Sequence, residues 1–379
     1  MEIDQGLIRK TGVYSCIECG KCTAICPVSK FNSSYSPRKF VTETLLGYYE
    51  LSKGDGKLWE CLTCQLCNLR CPSDVKYIDF IKQLRTYSHL NGAGAVCAHG
   101  GAFQSIMRFH SLQEVKQNRL KWITKREKVV INRGEYLYFV GCLPYYDAYF
   151  SSIGVRTLDS ARGVVKILNK LGIVPALLEN ERCCGHDLLW AGDPDSFEKL
   201  AELNIKLIKE SGAKYVITSC GECFRTLKMD YADFPGGSGF KVLHISQFLN
   251  ERISSGELKL KSLKKSITYQ DSCRLGRHMG VIEEPRNVMN SIPGISYKEM
   301  DKWGKDSICC GTSLWMNCDY CSKRIQIDRL RSAREIGADY LITTCPKCYI
   351  HFRCTMSERY TEDVDIEVKD FSTLIASVC

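Results

Sequence analysis

Apolar residues follow two alternating periods in the C-terminal two thirds of the chain. Short β-branched and aromatic runs such as "EYLYFVGC" (135–142) and "SITYQDSC" (266–273) predict strands. Between them, apolar residues spaced every three to four positions predict helices over 157–171, 195–211, 285–292 and 319–336. Alternation of this kind predicts βαβ units and a parallel sheet. The pattern also occurs twice. "GAKYVITSCGECFRTL" (212–227) aligns with "GADYLITTCPKCYIHF" (337–352), and "FKVLHISQFL" (240–249) with "IEVKDFSTLI" (366–375). Two tandem α/β repeats, 134–255 and 256–379, are therefore expected.

The first 95 residues lack the strand pattern. "SPRKFVTETLLGYYEL" (36–51) predicts a helix capped by Ser36 with Pro37 in its first turn, and "DVKYIDFIKQLRTYSHL" (74–90) predicts another. "NGAGA" (91–95) marks a flexible break, so 1–95 is expected to form a helical domain and 96–133 a basic linker.

Composition changes the picture only in places. With 379 residues, 44% hydrophobic and 25% charged, the chain falls among ordinary multidomain globular proteins. No run approaches 18 apolar residues, and "MEIDQGLIRKTG" lacks the apolar core of a secretory signal. A cytoplasmic protein is expected, peripheral to a membrane only through a partner. The net charge of +9 is concentrated in 107–133, which has eight basic and two acidic residues. That stretch reads either as a solvated basic helix or as a docking surface or steering field for anions. No nucleic-acid reader accompanies it.

The 23 cysteines decide more. A cytoplasmic setting disfavours disulfides and points to metal. "CIECGKCTAICP" (16–27) and "CLTCQLCNLRCP" (61–72) both read C-x2-C-x2-C-x3-C-P, the bacterial ferredoxin run for a cubane four-iron cluster. Zinc sites use ligand pairs rather than a run of four followed by proline. The resemblance to two-cluster ferredoxins implies crossed ligand sets. Cys16, Cys19, Cys22 and Cys71 would hold one cubane, and Cys61, Cys64, Cys67 and Cys26 the other.

Each later repeat places five cysteines where strands are expected to end: Cys142, Cys183, Cys184, Cys220 and Cys223, then Cys273, Cys309, Cys310, Cys345 and Cys348. In parallel sheets ligands collect at that rim. Adjacent cysteines are poorly placed to bond each other. Five thiolates are too many for one zinc and one more than a cubane needs, which suits a cluster with unusual iron sites or a bridging thiolate. Gly185 and Gly311 would allow close backbone approach beside each pair.

Over nearly the whole chain this arrangement resembles heterodisulfide reductases. The N-terminal part, with "LWECLTCQLCNLRCPSDV" (58–75), is similar to their small iron–sulfur subunit, and the doubled C-xₙ-CCG-xₙ-C-x2-C to their CCG domains. The order resembles the fused catalytic subunit of the membrane-linked form. The 40 residues between Cys142 and Cys183 are slightly long for the family, and the 34 between Cys310 and Cys345 slightly short.

The resemblance implies an α+β multidomain protein: a helical ferredoxin-like domain with two cubane clusters, then two CCG repeats with parallel sheets. Each repeat would hold one non-cubane four-iron cluster on its five cysteines, and the two would face the disulfide of coenzyme M and coenzyme B. Two one-electron centres flanking one S–S bond match its two-electron reduction. The implied donor is a flavin-containing subunit or a membrane cytochrome b, since no flavin or nicotinamide fingerprint occurs in the sequence. Arg182, Arg225, Arg274, Arg277, His278 and Lys347 are candidates for a cationic entrance to an anionic disulfide, and His186 for a proton donor. Cys97, Cys318, Cys321, Cys354 and Cys379 read as buried structural thiols, with Cys318 and Cys321 an alternative metal pair; Trp190 and Trp315 read as core. Related proteins acting on a persulfide or trisulfide, or serving quinone-linked 2-hydroxy-acid dehydrogenases, are the alternatives in function. A relay whose CCG repeats bind only zinc is another.

Overall fold

A computed structural model describes residues 5–47, 56–358 and 364–379. The chain divides into two compact units. One comprises Met1–Arg108, Gly185–Phe197 and Ile308–Gln326; the other comprises Phe109–Cys184, Glu198–Ser307 and Ile327–Cys379.

The first unit is helical, as expected. Ser36 caps the helix Pro37–Leu45 by accepting from the Lys39 N–H at 3.3 Å, and Pro37 fills the first position, where a missing N–H costs nothing. Residues 48–51 of the expected helix lie outside the described residues. The second predicted helix runs Tyr77–Leu90 and buries Tyr77, Ile78, Ile81, Leu84, Arg85 and Ser88, spaced three and four apart. Its Phe80 meets Phe40 edge-on with ring centroids 6.5 Å apart. The buried face is thus largely apolar but includes an arginine.

The second unit carries two wholly parallel sheets. The first contains β1 (Val130–Ile131), β2 (Tyr136–Phe139), β3 (Ala176–Leu177), β4 (Tyr215–Thr218) and β5 (Lys241–His244) in the order β1-β3-β2-β4-β5. The second contains β6 (Lys265–Gln270), β7 (Ile295–Tyr297), β8 (Tyr340–Thr343) and β9 (Glu367–Asp370) in the order β7-β6-β8-β9. With β1 set aside, the two orders are the same under the sequence duplication. The register also repeats: Tyr136 lies beside Tyr215, and Ile267 beside Tyr340. Strands β1, β3 and β7 have two or three residues each, too short to show a period, and went unread in the sequence.

The repeats pack crosswise. Helix Thr157–Lys170 of the first lies against Phe371–Val378 of the second, and Ile245–Ser254 of the first against Glu283–Asn290 of the second. Their apolar faces form one core, with Val164, Leu168, Phe248, Leu249, Val288, Met289, Leu374 and Ile375 at its centre. Gly163 permits the closest helix approach, since a Cβ there would lie 2.8 Å from the Ser372 carbonyl oxygen. Of the two readings of 107–133, a single solvated basic helix is not formed. The helix Ala102–His110 ends, and turns with a short strand follow.

Candidate metal centres

In both repeats the cysteines follow the carboxyl ends of the central strands. Cys142 lies just beyond β2 and Cys220 just beyond β4; Cys273 and Cys345 repeat this after β6 and β8. The five cysteines of the first repeat all lie in the sheet-bearing unit. Cys142 Sγ is 3.5 Å from Cys183 Sγ, and Cys223 Sγ is 3.5 Å from Cys184 Sγ. These distances far exceed a disulfide bond of ~2.05 Å. All 23 cysteines are free thiols.

The adjacent pair is held by its backbone. The Cys183 N–H donates to His110 Nδ1 at 3.2 Å. Asn204 Nδ2 donates to the Cys183 carbonyl at 3.0 Å, and the Tyr231 hydroxyl to the Cys184 carbonyl at 3.1 Å. Burial, then the charges of Arg119 and Arg182, hold His110 down to about 3, so its ring is a neutral acceptor. Glu181, just before the pair, accepts from the Gly141 N–H at 2.7 Å and the Val140 N–H at 3.1 Å, tying the end of β2 to the pair. Arg119 completes this clamp from the basic stretch, donating to Glu181 Oε1 and the carbonyls of Glu181 and Gly141, each at 2.6 Å. Both side chains are 1% exposed. Arg119 is therefore an internal tie and not part of a solvated surface. The second repeat ties the same places differently: Arg329 donates to Gln270 at the end of β6 and to Ser307 before its pair.

Within this unit the repeats meet at their cysteine loops. The thiols of Cys220 and Cys345, equivalent under the duplication, sit close enough to shift each other's ionisation. Hydrogen bonds from Cys223 and then Cys345 pull Cys220 down to about 5, while the bond to Cys220 pushes Cys345 up to about 12. Lys347 Nζ lies 2.7 Å from Glu222 Oε2, and these residues occupy equivalent positions in the two C-x2-C loops. Cys273, Cys345 and Cys348 are in this unit, whereas the pair Cys309–Cys310 is assigned to the helical unit, where both residues are buried. Gly185 and Gly311 adopt φ of 81° and 82°. After them the repeats diverge. The first continues as helix His186–Ala191, the second as a loop with Leu314, Trp315 and Asn317 at positive φ.

In the helical unit one cavity brings together Cys16, Cys19, Cys22 and Cys71, and Cys67 lines it too. A second is lined by Cys26, Cys61, Cys64 and Cys67. The fourth cysteine of each run thus sits with the other run's first three. Backbone N–H groups of Thr63 and Val75 donate to the sulfurs of Cys61 and Cys71, each at 3.3 Å. Burial pushes Cys26 up to about 12. These soft, unbridged donors, buried at Cys61 and Cys64, suit iron–sulfur clusters and not hard cations.

The basic residues expected at an entrance are engaged internally. Arg182 is buried and donates to the carbonyls of Val115 and Gln113 at 3.1 Å. Arg225 pairs with Asp230, Arg274 bonds His278, and Arg277 reaches the Ser307 carbonyl. His186 is buried against the Trp190 ring. Trp190 and Trp315 are fully buried core residues. Of the remaining cysteines Cys379 is buried, Cys97, Cys321 and Cys354 are half-buried, and Cys318 is exposed, which overturns the reading of Cys318 as a buried thiol. Cys321 instead donates to the Val28 carbonyl at 3.6 Å. Glu181, Asn204 and Tyr231 carried no sequence signal beyond the position of Glu181 before the pair.

The cysteine-rich CCG domain family matches residues 136–228 and 267–353, and the 4Fe-4S dicluster domain family matches 12–75. The chain is 31% identical to one component of the dihydromethanophenazine:CoB–CoM heterodisulfide reductase of Methanosarcina acetivorans, covering 96% of this chain and 93% of that one. It is 29% identical to one component of the fumarate reductase (CoM/CoB) of Methanothermobacter marburgensis over 93% of this chain and 70% of the relative. A hypothetical protein from Helicobacter pylori shares the fold, with a TM-score of 0.54, 12% identity and coverage of 99% of this chain and 73% of that one.

Proposed function

Because the chain belongs to the same family as that heterodisulfide reductase component, we propose that it is an iron–sulfur oxidoreductase subunit that reduces the coenzyme M–coenzyme B heterodisulfide or a related disulfide. The observation that carries this reading is the meeting of the two duplicated cysteine loops through Glu222 and Lys347, beside the gathered sulfurs of the first repeat.

Cys142, Cys183, Cys184, Cys220 and Cys223 would hold one non-cubane four-iron cluster, and Cys273, Cys309, Cys310, Cys345 and Cys348 the other. The crossed sets Cys16, Cys19, Cys22, Cys71 and Cys26, Cys61, Cys64, Cys67 would hold two cubanes. Bound there, the clusters supply one-electron redox steps at soft iron sites. The overall change takes RS–SR′, two electrons and two protons to RSH and R′SH. In this reading the Glu181–Arg119 clamp keeps Cys142 against Cys183, and the buried Lys347 ammonium supplies a proton to a departing thiolate. Electrons come from a separate partner protein, either flavin-containing or a membrane cytochrome b. Among the described residues no helix is long and apolar enough to cross a membrane. We place the chain in the cytoplasm, membrane-associated only through that partner.

The likeness to a protein named for fumarate reduction favours one alternative, an electron-transfer component whose chemistry lies on another chain. Iron analysis with a variant separates these readings from each other and from a zinc-binding relay. The catalytic reading expects about 16 iron atoms per chain, and zinc-bearing repeats about eight plus zinc. Cys309→Ser is expected to abolish disulfide reduction while leaving both cubane signals intact. Undiminished turnover in that variant would remove the second repeat from catalysis.

A further inference from the structure

Helix Tyr77–Leu90 buries a guanidinium on its otherwise largely apolar face. Arg85 is 0% exposed, and its hydrogen bonds run to main-chain carbonyls in two separate stretches of the helical unit. Nη2 donates to the Cys61 carbonyl at 2.8 Å and the Leu58 carbonyl at 3.0 Å, and Nε adds a second bond to Leu58 at 3.2 Å. Nη1 reaches the Trp190 carbonyl at 3.2 Å. Trp190 lies in the helix that follows the first cysteine pair. The two segments are pressed together there: Gly192 has φ of 93°, and a Cβ on it would lie 2.3 Å from the Arg85 carbonyl oxygen. Lys82, one helical turn earlier, places its ammonium 5.3 Å from the centre of the Trp190 ring.

A full positive charge in such a place is costly unless something negative develops nearby. The sulfur set of Cys26, Cys61, Cys64 and Cys67 lies beside Arg85, with the Cys61 carbonyl 2.8 Å from its Nη2. The other set is differently placed. Cys19 is exposed, and the cations lining its cavity, such as Arg38 with a side chain 43% exposed, are screened by solvent. A buried cation is screened much less and lowers the energy of the more negative, reduced state of a centre beside it.

We propose that Arg85 is a positioning residue that makes the inner centre, on Cys26, Cys61, Cys64 and Cys67, the electron acceptor of the N-terminal pair and locks its loop to the segment following Cys183–Cys184. With clusters bound, the centre on Cys16, Cys19, Cys22 and Cys71 would give up one electron and the centre on Cys26, Cys61, Cys64 and Cys67 would accept it, with no bond made or broken. The proposal rests on the four-iron reading of both sets given above.

The test is an anaerobic redox titration of the full chain followed by electron paramagnetic resonance, with R85K retaining the charge and R85M and R85Q removing it. In R85M and R85Q one cubane signal is expected to move to lower potential. Its reduced-to-oxidised ratio at fixed poise should fall about tenfold, ~59 mV for a one-electron couple. R85K should keep most of the wild-type value, and the second signal should stay in place. Should R85M fail to retain iron, the comparison of R85Q with R85K decides. Unchanged potentials in an iron-loaded neutral variant, or an equal shift in R85K, overturn the proposal. A wild-type chain without two cubane signals overturns the cluster assignment itself, and is recognised before any variant is made.

Discussion

Lys347 and Glu222 show how much depends on single residues between the repeats. They stand at the same place in the two C-x2-C loops, one cationic and one anionic, and meet at 2.7 Å with side chains 4% and 12% exposed. Removing one member of such a pair strands the other's charge, at a cost of about 3–5 kcal/mol. K347M alone therefore confounds stability with chemistry, and the informative variant is K347M/E222M. If Lys347 delivers a proton to a departing thiolate, the double variant should fold, retain iron and melt near the wild type, yet turn over roughly 10²–10⁴-fold more slowly. Wild-type turnover in an iron-loaded double variant would remove Lys347 from the proton path. The cysteines themselves could be read from the sequence because their spacing is local information. Lys347 appeared there only as one candidate for a cationic entrance to an anionic disulfide. Its partner Glu222 could not be inferred, since the contact joins residues 125 positions apart whose loops meet only when the duplicated halves fold together.

The elements repeat faithfully in topology and diverge at their ends. β5 leads into Ile245–Ser254 and β9 into Phe371–Val378, but the caps differ: His244 in the first case and Asp370 in the second. Asp370 Oδ1 accepts from the N–H groups of Ser372 and Thr373 at 2.8 and 3.2 Å. Burial nevertheless dominates and pushes its carboxyl up from an ordinary 3.8 to about 6. The folded chain thus holds a proton that the unfolded chain releases, so this group's contribution to stability is complete below pH ~4 and is lost as pH rises through about 6. D370N keeps a good helix cap without the buried charge. Its melting temperature should be insensitive to pH between about 4 and 7 in this respect and exceed the wild type's above pH ~6.5. A wild-type melting temperature that rises over that interval relative to D370N would refute the assignment. The sequence showed 240–249 and 366–375 to be one repeated segment, but predicted neither of these helices, whose apolar residues are too few to declare a period. It did not distinguish the helix after Cys184 from the left-handed loop after Cys310. That difference is built by distant contacts: Gln104 donates to the carbonyls of Leu314 and Trp315 at 2.8 and 3.2 Å, and Asn317 to the Trp59 carbonyl at 2.6 Å.

For the whole molecule, duplication explains the architecture. A single sheet with helices on its faces leaves one apolar helical face uncovered, and the crosswise packing of Thr157–Lys170 on Phe371–Val378 and Ile245–Ser254 on Glu283–Asn290 covers both at once. The same packing brings the two C-x2-C loops together, so that Glu222 meets Lys347. Such a chain gathers sulfur ligands but carries no nicotinamide or flavin fingerprint in its sequence. If its function is reduction at those strand ends, electrons have to enter one at a time from outside. The iron-loaded chain, purified alone and supplied with a reduced viologen, should therefore reduce a heterodisulfide, with two thiols appearing for every two viologen radicals consumed. NADH or NADPH under the same conditions should give no turnover until a flavin-bearing partner is added. Turnover with NADH by the isolated chain would show a hydride-accepting site and refute one-electron entry from a partner. Failure with viologen despite about 16 iron atoms per chain would leave the electron-transfer reading as the better account.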